Sequence, residues 1–255
     1  MKISATIIAL DEESNIAAAC ESVAWADEIV VVDSGSTDRT VELATNSSAK
    51  VIVNAWPGFS EQKQFAVDHA ANEWIFSLDA DERVTDRLKN EILKLKHEAS
   101  LADGYRIPRL SIYMGREIRH GGWYPDLQLR FFNRRKGRWN GAVIHESVEM
   151  DEGAQIGRLK GDLLHYSVEN AEHHHRMIVE RYAPLGAEKM LREGRRTSTF
   201  TAYVSAGFAF FRGYLLKLGF MDDQAGYAIA RFAAQNVFTK HRLLMERQRA
   251  TAPKE

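Results

Sequence analysis

The chain of 255 residues carries 45% hydrophobic and 27% charged side chains, which excludes a disordered polar polymer and supplies enough apolar material for a substantial interior. Its single cysteine, Cys20, excludes an internal disulfide and a thiolate metal cluster. The net charge of -1 hides an asymmetry: residues 171–255 hold 14 Lys/Arg against 8 Asp/Glu, so this stretch is +6 and the first 170 residues are -7. That basic excess is modest and confined to one end, so nucleic acid is not an expected partner.

The opening "MKISATIIALDEE" lacks the long apolar core and small-residue cleavage site of an export signal and reads as a first strand, with a cytoplasmic address as the default. "SATIIAL", "EIVVVD", "KVIV" and "WIFSLD" are β-branched, near-continuous apolar runs. Amphipathic stretches separate them: Ile16, Cys20 and Val23 fall at helical spacing, as do Leu88, Ile92 and Leu95 behind Thr85, a candidate N-cap. Strict alternation of strand and helix predicts crossover units and a parallel sheet covered on both faces. Beyond Ala102, "GYRIPRLSIYM", "LQLRFFN", "GAVIHESVEM" and "RLKGDLLHYS" predict short strands in antiparallel or mixed pairing. From about Glu169 the pattern is helical again. The aromatic stretch "FTAYVSAGFAFFRGYLLKLGF" is broken by Arg212 and Lys217 and so is not a membrane span, although it suits packing on the rest of the protein or lying in a bilayer interface.

Parallel open sheets bind ligands at the carboxyl ends of their strands, and two acidic features are predicted there. Asp33 closes "EIVVVD" and is followed by "SGSTDRT", where the glycine permits a sharp turn and Ser36 or Thr37 is positioned to cap a helix starting near Thr40. A buried-edge carboxylate at that lip suits a nucleobase or ribose; a capping aspartate without a ligand is the plainer alternative. In "LDAD" an extended backbone would send Asp79 and Asp81 to one side, giving two hard oxygen donors suited to Mg²⁺ or Mn²⁺ on a diphosphate. A calcium loop is excluded, since Arg83 and Val84 stand where a further oxygen donor and a glycine would be needed. No P-loop lysine motif and no G-x-G-x-x-G occurs. "EHHHR" is not read as a metal site, because consecutive residues of a helix point in different directions.

"SATIIALDEESNIAAACESV", "EIVVVDSGSTDRTVELA" and "WIFSLDADE", in this order and spacing, resemble the nucleotide-sugar half of the inverting family 2 glycosyltransferases, which have the GT-A fold. "GGWYPDLQLRFFNRRKGRWNGAVIHESVE" resembles the subgroup that includes lipopolysaccharide core glucosyltransferases. The resemblance implies an α/β fold: a GT-A type, Rossmann-like, mostly parallel sheet with helices on both faces, plus a C-terminal helical region. It implies a nucleotide-sugar-binding half over 1–100, an acceptor-binding half over 101–168 and helices over 169–255. Carried over by position, Ala9, Asp11 and Glu12 line the nucleotide pocket, Asp33 contacts the base, Asp79 lies near ribose or metal, and Asp81 ligates the metal. Asp11 stands where the family often has Asn, Ser34 where it often has a second acid, and the Q-x-x-R-W element of the processive synthases is absent.

The implied reaction is a Mg²⁺- or Mn²⁺-dependent, inverting transfer of a hexose, glucose by the subgroup, from a UDP-sugar to a lipopolysaccharide inner-core or related glycan acceptor. Peripheral contact with the cytoplasmic face of the inner membrane would accompany a lipid-linked acceptor. Single displacement needs a carboxylate to take the acceptor proton. Glu146 is the first candidate and Asp126 the second, although pattern alone fits Glu146 equally to a strand carboxylate facing water. His145 or His165 would be a third metal ligand, and Arg130 and Arg134 candidates to clamp phosphates. Two other readings compete: transfer to polyprenyl phosphate, which needs no carboxylate base, and a nucleotide-sugar-binding module without turnover. A glycoside hydrolase is disfavoured, because two acids on one strand tip cannot flank a sugar ring.

Overall fold

The computed structural model describes residues 1–98, 101–142 and 146–251. The elements in chain order are β1 (Ile3–Ala9), α1 (Ile16–Ser22), β2 (Glu28–Asp33), α2 (Thr40–Asn46), β3 (Lys50–Val53), α3 (Phe59–Asp68), β4 (Trp74–Asp79), β5 (Glu82–Val84) and α4 (Asp86–Leu95). There follow β6 (Gly104–Tyr113), β7 (Arg116–Glu117), β8 (Asp126–Asn133), β9 (Gly137–Trp139), β10 (Val148–Met150), β11 (Ile156–Arg158) and β12 (Leu163–Val168). The C-terminal helices are α5 (Ala171–Arg176), α6 (Ala183–Arg192), α7 (Thr199–Phe211) and α8 (Asp223–Thr251). A π-helical turn, Met177–Tyr182, joins α5 to α6, and another, Arg212–Leu216, follows α7. The chain divides into two compact units, Met1–Leu110 with Asp126–His165, and Ser111–Pro125 with Tyr166–Glu255.

In the first unit the strands run β3-β2-β1-β4-β8-β6, with β11 on β6. The pairs β1/β2, β1/β4 and β2/β3 are parallel, whereas β8 runs antiparallel to both β4 and β6. Central position explains the composition of β1, in which all seven residues are buried. Alternate side chains serve the two faces: Ile3, Ala5 and Ile7 of β1 join Phe76 and Leu78 of β4 on one side, while Ile8, Val30, Val32 and Ile75 pack with Phe132 and Trp139 on the other. Cys20 lies in the first of these clusters, and burial pushes its thiol up to about 11. Thr85 caps α4 as expected, its hydroxyl accepting from the Leu88 amide, and α4 buries Leu88, Ile92 and Leu95. Of the strand expected over 141–150, the described part begins at Val148.

In the second unit α6 and α7 pack on α8. Tyr113, Ile118, Val168, Ala225 and Ile229 form one apolar cluster, and Ile178, Ala183 and Phe232 another. The three histidines of α5 diverge: His174 is buried with Nδ1 2.9 Å from the Tyr113 hydroxyl, and His175 meets Gln235 at 2.7 Å. Burial pulls His174 down to about 4 and pushes the Tyr113 phenol up to about 12. Among the described residues no helix is long and apolar enough to cross a membrane.

Candidate active site

The carboxyl ends of β1 and β2 are adjacent, and the loops that follow them are bonded reciprocally. Asp11, in the left-handed region at φ 52°, accepts from the Thr37 amide at 2.8 Å, and its own amide donates to the Ser36 hydroxyl at 2.9 Å. The Glu12 amide donates to the Thr40 hydroxyl at 2.7 Å, and the Ala9 carbonyl accepts from the Ser34 amide at 2.9 Å. Asp33 is buried and accepts from the amides of Gly35 and Ser36, both at 2.9 Å, and from the Ser36 hydroxyl. The structure therefore gathers Ala9, Asp11, Glu12 and Asp33 at one lip. The expected cap is absent: α2 starts behind Arg39 without a side-chain cap, Asp38 accepts from the Thr40 amide at 2.9 Å, and the two earlier hydroxyl residues are engaged with Asp33 and Asp11.

Asp79 does not stand as a free acid. Its carboxylate sits 2.9 Å from the Lys63 Nζ and 2.9 Å from an Arg130 Nη. Lys63 comes from α3 and is 2% exposed; Arg130 comes from β8 and is buried. Burial alone would raise the Asp79 carboxyl, but the charges of Lys63 and Arg130 outweigh it and hold it well below the usual range. Burial opposes the Arg130 charge too, and Glu82 and Asp79 more than restore it. Arg130 reaches Glu82 at 3.3 Å, Glu82 reaches Arg109 at 3.3 Å, and Arg109 holds Asp126 at 2.7 Å. On the other side Lys63 stands 3.5 Å from Glu146. The seven side chains thus form one line of alternating charge: Glu146, Lys63, Asp79, Arg130, Glu82, Arg109, Asp126. Its two ends are the candidate bases, and both are partly exposed, while Glu82 is fully buried.

The two ends differ in how far they are committed. Asp126 accepts two guanidinium N–H groups of Arg109, at 2.7 and 2.9 Å, and the Gln128 amide at 2.7 Å. Among the described residues Glu146 meets Lys63, at 3.5 Å. That looser hold suits proton acceptance better than the one on Asp126.

The expectation that Asp79 and Asp81 share a side rested on continued strand geometry, and the backbone does not continue. Ala80 and Asp81 form the turn between β4 and β5, so the period of two ends at Asp79. Asp81 instead lies 3.3 Å from the Nε2 of His165, which β12 brings opposite Glu82 of β5. Arg83 locks this turn, donating to the carbonyls of Ala80, Glu82 and Asn15 at 2.7 to 2.8 Å. Among the described residues no group of three or more His, Cys, Asp or Glu is gathered to hold a metal by itself. A carboxylate and an imidazole nitrogen this close do suit a divalent ion that takes its remaining ligands from a diphosphate and water. Asp81 and His165 fit that group; Asp79 is paired with Lys63 and Arg130. His145 lies outside the described residues.

Arg130, expected to clamp a phosphate, is locked between Asp79 and Glu82, and Arg134 donates to the Ala70 carbonyl at 2.7 Å. Pattern reading missed Lys63, Arg109 and Arg83, and gave Glu82 no role of its own. The signal for Lys63 was present in α3: the helix turns Ser60, Gln62 and Lys63 inward with Ala66 and Val67. A polar residue on an inward face must meet a partner, and Gln62 does so too, bonding Ser34 and Asn54.

The sequence profile of Glycosyl transferase family 2 matches residues 4–147. An uncharacterised glycosyltransferase of Rickettsia typhi is 30% identical over 251 residues, covering 91% of this chain and 84% of that one. The lipopolysaccharide core biosynthesis glycosyltransferase LpsC of Rhizobium meliloti is 28% identical over 257 residues, covering 95% and 94%. Among solved structures, glucosyl-3-phosphoglycerate synthase of Mycobacterium tuberculosis, in complex with Mn²⁺, UDP and phosphoglyceric acid, is 25% identical over 45% of this chain and 44% of that chain, with a TM-score of 0.35.

Proposed function

The chain belongs to glycosyl transferase family 2, and from that premise we propose that it moves a hexose, glucose in the first instance, from a UDP-sugar to a lipopolysaccharide inner-core or related cell-envelope glycan, with inversion and with Mg²⁺ or Mn²⁺. The acceptor class follows the relative named for lipopolysaccharide core biosynthesis, which this chain matches along nearly its whole length. Such an acceptor is lipid-anchored, so the reaction belongs at the cytoplasmic face of the inner membrane, with the protein in peripheral contact. The observation that carries the catalytic part is the partly exposed Glu146 held 3.5 Å from buried Lys63, at the open end of the charge line.

In this reading Ala9, Asp11, Glu12 and Asp33 receive the nucleoside. Asp81 and His165 would hold the divalent ion, which supplies positive charge to the departing diphosphate. Lys63 and Arg130 fix Asp79 beneath the site, next to the ribose. Glu146 accepts the proton of the attacking hydroxyl as that oxygen bonds to the anomeric carbon. The bond from that carbon to the diphosphate oxygen breaks, and UDP leaves with the electron pair. Asp126, spent on Arg109, holds the arginine in line rather than taking the proton.

The test is Glu146→Gln. Transfer to a sugar hydroxyl is expected to fall by about 10²- to 10⁴-fold, while UDP binding read by thermal shift persists. Retained transfer would remove Glu146 from the mechanism, and retention with polyprenyl phosphate as acceptor would instead favour a phosphate nucleophile.

A further inference from the structure

Helix α7 is packed inside out. Its buried residues are Ala202 and Ala206, the smallest apolar side chains it has, and it packs on α8. The large ones face away: Phe200 is 77% exposed, Tyr203 64% and Phe208 58%, with Val204 and Phe211 also exposed. At 100° per residue, positions 200, 203, 204, 208 and 211 fall within one arc of the helix, opposite the alanines. The exposed series continues beyond the helix through Leu215, Leu216, Leu218, Phe220 and Met221. A helix facing water would bury its phenylalanines and expose its small residues, so this arrangement calls for a nonaqueous neighbour.

Charge identifies that neighbour. From Gly194 to Met221 the sequence holds Arg195, Arg196, Arg212 and Lys217 and no Asp or Glu. α7 itself carries no charged residue. α7 and the π-helical turn after it run from Thr199 to Leu216, and among the described residues no helix is long and apolar enough to cross a membrane. An apolar aromatic face whose interrupting charges are cations, with Glu193, Asp222 and Asp223 just outside it, on a helix that does not span, matches a segment lying flat in a bilayer interface. An isologous contact with a second copy of this chain would set the same four cations against one another.

We propose that the face formed by α7 and the segment to Met221 docks on an anionic lipid bilayer, inserting Phe200, Phe208 and Leu216 among the acyl chains while Arg196, Arg212 and Lys217 meet lipid phosphates. The inference deepens the functional reading above, on which it rests for the choice of a membrane as the place of work, but lipid binding is measured without any transfer. The full chain is sedimented with vesicles of phosphatidylcholine alone and of phosphatidylcholine mixed with phosphatidylglycerol. Binding is expected to the mixed vesicles, weakening as salt is raised. Phe208→Asp with Leu216→Asp should weaken it at least about tenfold. Arg196→Gln, Arg212→Gln and Lys217→Gln should each weaken it roughly fivefold. Thermal shift by UDP, which reports the nucleotide site and an intact fold, should be unchanged in all these variants. A chain that sediments with neither vesicle type while still responding to UDP overturns the docking surface and leaves the transferase reading standing. So does a self-association that Phe208→Asp abolishes while vesicle binding is absent. Vesicle binding without any response to nucleotides would do the opposite.

Discussion

Lys63 is held by two carboxylates, Asp79 and Glu146, and its ammonium lies 4.9 Å from the centroid of Trp139. Replacing it by Met keeps the volume of the stem and leaves Asp79 with Arg130 alone. We expect Lys63→Met to cost about 3 kcal/mol in urea unfolding, as removal of one partner from a buried ion pair does. The same pairing sets a pH dependence. The folded Asp79 carboxyl lies below its ordinary value, so its contribution is complete above the unfolded pKa near 4 and is lost as pH falls through that value and below. The melting temperature should therefore drop on acidification below about pH 5, and Asp79→Asn, weaker at neutral pH, should drop less steeply. At this scale the sequence revealed which acids lie at strand ends and concealed what faces them. Asp33 and Asp79 end apolar runs and could be located by eye. Lys63, Arg109 and Arg130 come from three separate elements, and only the folded sheet brings them to Asp79 and Glu82.

The elements of the first unit follow from local rules. β2, β3 and β4 coincide with "EIVVVD", "KVIV" and "WIFSLD", and Thr85 caps α4 where its hydroxyl was expected. The failures sit where a strand ends. Alternation carried past Asp79 into a turn misplaced Asp81, and the cap expected from Ser36 or Thr37 is not made, since α2 starts without a side-chain cap. Thr85 also donates to the Asp162 carbonyl at 2.7 Å, which ties α4 to the segment before β12. Thr85→Ala is expected to cost about 1 kcal/mol or somewhat more, since a cap and a tertiary bond are lost together. Next to that bond, a Cβ on Gly161 would lie 2.3 Å from the Leu88 backbone nitrogen. Gly161→Ala should destabilise by more than about 2 kcal/mol, because helix backbone cannot step aside as a side chain would; equilibrium unfolding of the two variants checks both values.

For the whole molecule, near-zero net charge and an exposed apolar face act together. With a sequence pI of about 6.8, repulsion between copies is weakest close to neutral pH, while Phe200, Tyr203 and Phe208 stay uncovered in water. Light scattering should show solubility lowest near that pH, and a mild detergent should raise it more than added salt does. The asymmetry of charge between the first 170 residues and the rest was plain in the sequence, as was the aromatic stretch; that α7 would turn alanines rather than phenylalanines inward was not, because apolar residues occur all round that helix.

Cys20 adds a practical consequence. Its sulfur is sealed in the larger apolar cluster and stays protonated at neutral pH, so a reagent selective for thiolates finds nothing to attack in the native protein. Any labelling must wait for the first unit to open. The rate of that modification in dilute denaturant is then an intrinsic stopwatch for rare opening events, available without engineering a probe.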